Sequence, residues 1–438
     1  MTTESQNTMF LLLNQHGPFA TLKESPLNFS PFSRPSREMV CKLNNREMIT
    51  QYRILRNQVL DFLDVPSFFD IKALLKDHDR RKEIERRSYK LLGNMFGIKG
   101  NEREIVSTLN NYSRTADGVI RYLRNKVLAP YSSHIEMTNE IDATSSPAEL
   151  ILILFDDRYH QKARFEAKRK LVLMNLAGSI DQRERETNIE SKFYLFLDFL
   201  NEYVWSQTAK IGELEIVYIL SNHEPEQFTC RDYRILSRKD AEKVHPAKGQ
   251  KLTLLKRRRF GTNGHEIPIY VSIRKKAPEA KVLKLLRKGE ENPAVAVDDE
   301  LGLMGVLETV RDVNTFQKHL TQSAIKASSF MSLEDVSDSL TSSSCHRKEK
   351  NIGSSSKTAM LKFFARLGGM RVEFIVHTYE SYLNYIYQRD VSHDEYEVKR
   401  IFDSGVAELL FPREIYHLDM KVIRDRQIER FRRQIEEF

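Results

Sequence analysis

Residues 299–307, DELGLMGVL, set the tightest limit on what this chain can fold into. An apolar run punctuated by glycine reads as a buried strand, and two aspartates, Asp298 and Asp299, stand directly at its mouth. Charged side chains rarely enter a core without a partner, so this strand end is a candidate site. A second carboxylate has a similar setting in RVEFIVHT (371–378). Alternation places Val372, Phe374, Val376 and Thr378 on one face and Arg371, Glu373, Ile375 and His377 on the other. The first set reads as core. The second puts a carboxylate between a guanidinium and an imidazole, which suits a surface that binds phosphates and a cation. The plainer reading of that face is an exposed sheet with a weak surface ion pair.

The pattern along the chain changes period once. Residues 1–40 lack periodicity and hold four of the thirteen prolines, which predicts an extended arm. From about 44 to 128 the apolar positions recur at helical spacing, as in Met48, Tyr52, Leu55, Val59 and Leu63, and four or five short helices are expected. One of them starts at Ser67, with Asp70 three positions later. Residues 129–149 read as a linker, and LILILF (150–155) fits either a strand or a buried helix. Helices follow at about 160–177 and 187–206, the second with a Phe193/Phe196/Phe199/Leu200 core stripe.

After that, 213–220, 251–260 and 266–273 alternate as strands, the last two joined by a turn at Asn263-Gly264. A helix over 278–288 starts on Pro278. The strand at 299–307, a helix at 312–322, a polar loop through about 358, the strand at 371–378 and three closing helices complete the order. The fold class expected is α+β: an arm (1–40), a helical domain (41–206), a mixed β-sheet domain flanked by helices (207–412) and a C-terminal amphipathic helix (413–438). That last helix would dock on its own domain or on a second copy of the chain.

Composition bounds the function classes. With 438 residues, 40% apolar and 30% charged, the chain has the character of a soluble globular protein of two or three domains. The early run MFLLL is far short of a membrane span, and MTTESQNT before it lacks the basic segment of a secretory signal, so cytoplasmic residence without a membrane partner is expected. Cys41, Cys230 and Cys345 are scattered without metal-ligand spacing and read as free thiols. Cys345 neighbours His346, but in a Ser-rich stretch that is poor ground for a pre-organised nucleophile. The net charge is +8, and residues 251–288 alone carry twelve Lys and Arg against two acids. Such a concentration attracts phosphate-bearing partners.

The elements from about 251 to 410, a little over a third of the chain, resemble the synthetase domain of RelA/SpoT homologues, which transfer pyrophosphate from ATP to GDP or GTP. The family's R-x-K-x-x-x-S segment with a later lysine is similar to RKKAPEAKVLKLLRK, with Arg274, Lys276, Lys284 and Arg287 in place and Ala280 where serine is usual. Asp299 takes the position of the family's metal-binding aspartate, and EFIVHT places Glu373 on its second carboxylate, keeping Thr378. Elsewhere the pattern departs: NIGSSSKTA (351–359) has no tyrosine where the family stacks guanine, and Met304, Ile375 and His377 replace Arg, Gln and Arg. The resemblance implies a nucleotidyltransferase-like sheet and a transfer of pyrophosphate from ATP to a nucleotide or RNA hydroxyl with Mg²⁺. Asp299 and Glu373 would be the catalytic and metal-binding carboxylates, with Asp298 beside them. Arg274, Lys276, Lys284, Arg287 and Lys288 would hold phosphates, and residues 256–259 could track a longer backbone such as tRNA. Two other readings stay open: a catalytically inactive nucleotide- or RNA-binding protein that retains the fold, and a sensor or partner-binding role for residues 44–206.

Overall fold

The computed structural model of the chain describes residues 46–206, 215–224, 229–262, 264–290, 292–340 and 359–437. The arm expected over 1–40, Cys41, Asn263, the pair Cys345/His346 and residues 351–358 of the NIGSSSKTA segment lie outside the described residues. The architecture is mixed α/β, in two compact units that alternate along the sequence. One takes the described residues through Glu186, with Ala277–Val297 and Arg400–Asp425; the other takes Thr187–Lys276, Asp298–Lys399 and the described residues from Arg426 onward. In place of a single boundary at 206/207, the helix Ile189–Phe199 belongs with the sheet, and the helix Pro278–Lys288 belongs with the helical unit.

In the helical unit local chemistry sets the helix ends. Ser67 takes the extended N-cap position of Phe68–Leu74, where its hydroxyl donates to the Asp70 carboxylate at 2.6 Å and not to the helix backbone. Asp77 accepts from the Arg80 N–H ahead of His78–Met95, and Asn101 with Glu104 makes a reciprocal capping box for Glu102–Tyr122. The ambiguous LILILF run is helical, within Pro147–Phe155, because Ser146 accepts from the Glu149 N–H and Pro147 occupies the first turn. Its Leu152 joins Leu63, Ile71, Leu74 and Ile84 in a buried cluster.

The other unit holds an eight-stranded sheet: β1 (Glu215–His223), β2 (Cys230–Leu236), β3 (Gln250–Thr262), β4 (His265–Lys275), β5 (Leu301–Leu307), β6 (Ser332–Asp338), β7 (Leu361–Leu367) and β8 (Met370–Thr378), in the order β2-β1-β3-β4-β5-β8-β7-β6. β5 and β8 pair in parallel, and all other neighbours are antiparallel. Thr262 pairs with His265 across the hairpin, whose tight turn Gly264 makes possible at φ +79°. β2, β6 and β7 are additions to the strands expected from sequence. The expected closing helices number four in the structure, because His417 at φ +55° breaks 413–438 and Asp419 caps the next helix through the Lys421 and Val422 N–H groups. Among the described residues no helix is long and apolar enough to cross a membrane.

The two faces of this sheet differ. On one, Phe374 stacks against Phe363 at 5.0 Å and meets Phe196 edge-on at 6.1 Å, while Phe260 packs 5.3 Å from Phe316 of the helix Val310–Lys326. On the other, Tyr379, Tyr382, Leu383 and Ile386 cover Tyr270, Val306 and Leu255. That cover sits at the Val306 end of β5. Toward the start of the strand the same face carries half-buried Met304 and Ile375, exposed Ser272, and then a row of charges.

Candidate active site

Strand register creates the charged row. Arg274 of β4 pairs with Gly302 of β5, and Gly302 with Glu373 of β8, so the three share one face in line. A Cβ on residue 302 would lie 3.0 Å from Arg274 Nε and 3.3 Å from its Cγ. The missing side chain therefore lets Arg274 cross β5, and its Nη2 donates to Glu373 Oε2 at 2.6 Å. Lys362 of β7 reaches the same carboxylate, Nζ to Oε1 at 2.8 Å. Burial works to raise the pKa of Glu373, but Lys362 and Arg274 outweigh it and hold the carboxyl below its usual value. Gly302→Val should therefore push Arg274 away, raise the Glu373 pKa in an NMR carboxylate titration, and cost about 1–3 kcal/mol in urea unfolding from overpacking. An unmoved Glu373 titration would show that Arg274 does not cross at residue 302.

Asp299 lies two residues ahead of β5, and its Oδ1 accepts from Lys276 Nζ at 2.8 Å. Lys276 is fixed in turn by its N–H, which donates to the Glu300 carbonyl at 3.0 Å. Both side chains are about a quarter exposed, at 24% and 23%. Glu373 stands level with Gly302, three residues beyond Asp299 on the neighbouring strand. Asp298 turns to a different cation, Arg371, at 2.9 Å. Each carboxylate thus faces its own positive charge.

The sheet unit gathers Arg274, Lys276, Asp299 and Glu373. Lys284, Arg287 and Lys288 fall on the helix Pro278–Lys288, which belongs to the helical unit, where Lys284 donates to the Val295 carbonyl. His377 shares the Glu373 face, as alternation requires, but it does not line a phosphate surface. It is 1% exposed, 3.1 Å from the Ser381 hydroxyl and stacked on Tyr385, and burial pulls its pKa down to about 4, so it is a neutral core residue at pH 7. Lys362 is the participant that sequence reasoning missed. Its signal was present: LKFFARL alternates up to Gly368-Gly369, a hairpin turn with φ of +57° and +76° leading into β8.

Asp299 and Glu373 offer hard oxygen donors of the kind magnesium takes. Among the described residues no three His, Cys, Asp or Glu side chains gather into a set that could hold a metal by themselves. No protein-family model, curated protein or solved structure matches the chain.

Proposed function

We propose that the sheet unit is a divergent RelA/SpoT-like transferase that moves pyrophosphate from ATP to a nucleotide or RNA hydroxyl. One observation carries this reading: β5 and β8 are parallel neighbours, so the aspartate-opened strand and the glutamate-bearing strand adjoin, with Arg274 of β4 in the same row as Glu373. The acceptor oxygen bonds to the β-phosphorus of ATP, the bond from that phosphorus to the α,β-bridging oxygen breaks, AMP leaves, and the hydroxyl proton passes to a base. Magnesium carried on the phosphates would be held by Asp299 with Glu373 near it, and would neutralise the charge that develops on the bridging oxygen.

The protein's own cations have a second role in this scheme. At rest Arg274 and Lys362 neutralise Glu373, which makes it a weak base. A triphosphate competes for both cations, together with Lys276. As they turn toward phosphate, Glu373 loses the charges that held its pKa down and becomes able to orient the acceptor hydroxyl and take its proton.

The resting ion pairs also favour one other reading, a nucleotide or RNA binder without turnover, in which phosphates merely replace Asp299 and Glu373 on the cations. Purified protein incubated with labelled ATP, Mg²⁺ and a panel of nucleotides and tRNA separates the two. Transfer of label from the β,γ-phosphates to an acceptor is expected, falling at least about 100-fold in Asp299→Asn. Salt-sensitive binding with no transfer would leave the binder, and equal activity in the variant would overturn the site assignment.

A further inference from the structure

Arg371 differs from the other cations on the open sheet face. Each of its three guanidinium nitrogens donates to a different carboxylate: Nη1 to Asp298 at 2.9 Å, Nε to Glu334 at 3.1 Å and Nη2 to Asp335 at 2.6 Å. One side of the plane lies over the Phe364 ring, 3.7 Å from its centroid. Edges and one face are occupied, and the side chain is 15% exposed. What is left to a ligand is the second face of the plane.

The clamp is a built feature. In a regular strand, consecutive residues point to opposite faces, so Glu334 and Asp335 could not both reach one guanidinium. β6 breaks register between Glu334 and Ser337, and Asp335 adopts φ +49°, a strained conformation for a residue other than glycine. That local distortion brings both carboxylates onto Arg371.

A guanidinium committed along its edges to three carboxylates is a poor phosphate ligand, and the acidic rim repels an anion. A flat ring fits instead. Guanidinium planes stack on nucleobases, and carboxylates accept hydrogen bonds from ring amino groups. Arg371 also stands two residues before Glu373 on the same face, about 7 Å along the strand, close to the span from a nucleobase to the hydroxyls of its own ribose. We propose that Arg371, backed by Phe364, is the stacking platform for the base of the nucleotide whose hydroxyl meets Glu373. This rests on the transferase reading for the hydroxyl, whereas base binding can be measured without turnover.

The test is saturation-transfer NMR on the full chain with adenosine, guanosine, cytidine and uridine 5′-monophosphates. Wild type is compared with Arg371→Lys, which keeps the charge and loses the plane, with Phe364→Leu, and with Asp335→Asn, which tolerates the left-handed backbone. Saturation of base protons is expected for at least one nucleotide, with affinity falling about 5–150-fold in Arg371→Lys and Phe364→Leu, the range that loss of one stacked base spans. Circular dichroism identifies the variants that fold, and Asp335→Asn, which loosens the clamp, carries the comparison if the others do not. No base-proton saturation in wild type, or undiminished saturation in the folded variants, would overturn the proposal. Base binding without pyrophosphate transfer would end the transferase reading and leave the platform standing. Transfer whose acceptor KM ignores Arg371→Lys would do the reverse.

Discussion

On the proposed transferase reading, Glu373→Gln should lower pyrophosphate transfer by about 10²–10⁴-fold, the range a positioned acid–base group supplies, while the protein stays folded. The amide keeps the shape and one acceptor oxygen but can neither take a proton nor neutralise two cations. Arg274 at 61% and Lys362 at 33% exposure can rehydrate, but Glu373 itself is 12% exposed, so the structural cost should be about 1–3 kcal/mol. The pH dependence separates the two effects. The folded pKa of Glu373 lies below its ordinary value, so its contribution to stability is fully present above the unfolded carboxylate pKa of roughly 4.3 and is lost as pH falls through the lower folded value. The stability gap between wild type and variant should be constant near neutrality and close in acid. Urea midpoints from pH 3 to 8 read the gap, and label transfer at pH 7 reads catalysis. Full activity in Glu373→Gln would remove this carboxylate from the chemistry.

How much of this was legible in the sequence depends on whether a residue's neighbours lie close along the chain. The hairpin at Thr262–His265 and the helix opened by Pro278 were readable because turn and cap chemistry is local. β5 was readable from its apolar run, and β8 from its alternation. β2 (CRDYRIL) was not, because an edge strand exposed along most of its length has no burial period to detect. β6 was hidden because the stretch through about 358 was read as one polar loop, and β7 lay in the short unassigned stretch between that loop and β8, so Lys362, the second cation on Glu373, went with it.

The basic concentration over 251–288 was real in number and misleading in space. Arg274 and Lys276 stand by the carboxylates, Lys281 is buried against Glu184 in the helical unit, and Lys284 spends its charge on a carbonyl. Linear charge density carries no information on which face or which unit a side chain joins. Glycine at 302 was visible as a letter, but its use, a passage for Arg274 across a strand, follows only from the register of three strands.

The largest loss of stability is expected at a position with no part in the site. Arg169, 4% exposed in the helical unit, donates from Nη1 to the Leu410 carbonyl at 2.7 Å and to the Tyr416 hydroxyl at 2.8 Å, and its guanidinium lies 4.9 Å from the Phe411 ring centroid. Tyr416 donates in turn to Glu166 at 2.9 Å, and this fully buried carboxylate also accepts from the N–H and hydroxyl of Thr138. Arg169 Nη2 also stands 3.8 Å from Glu166 Oε1, so Arg169→Met, which keeps the apolar stem and removes the charge, leaves the Glu166 anion without its cation and the Leu410 carbonyl without this donor, at a cost of about 3–5 kcal/mol. Glu166→Gln alone strands the guanidinium and should cost a similar amount. Because each single change leaves an uncompensated buried charge, the double variant should cost less than the two together, by about 0.5–3 kcal/mol. Urea unfolding of all four proteins closes the cycle, and hydrogen exchange at the Leu410 and Tyr416 amides should rise in Arg169→Met as Val406–Leu410 and Arg413–Tyr416 lose their tie. Strict additivity, or a cost below about 1 kcal/mol for Arg169→Met, would mean that apolar packing around Phe411 holds this segment and the buried charges are incidental.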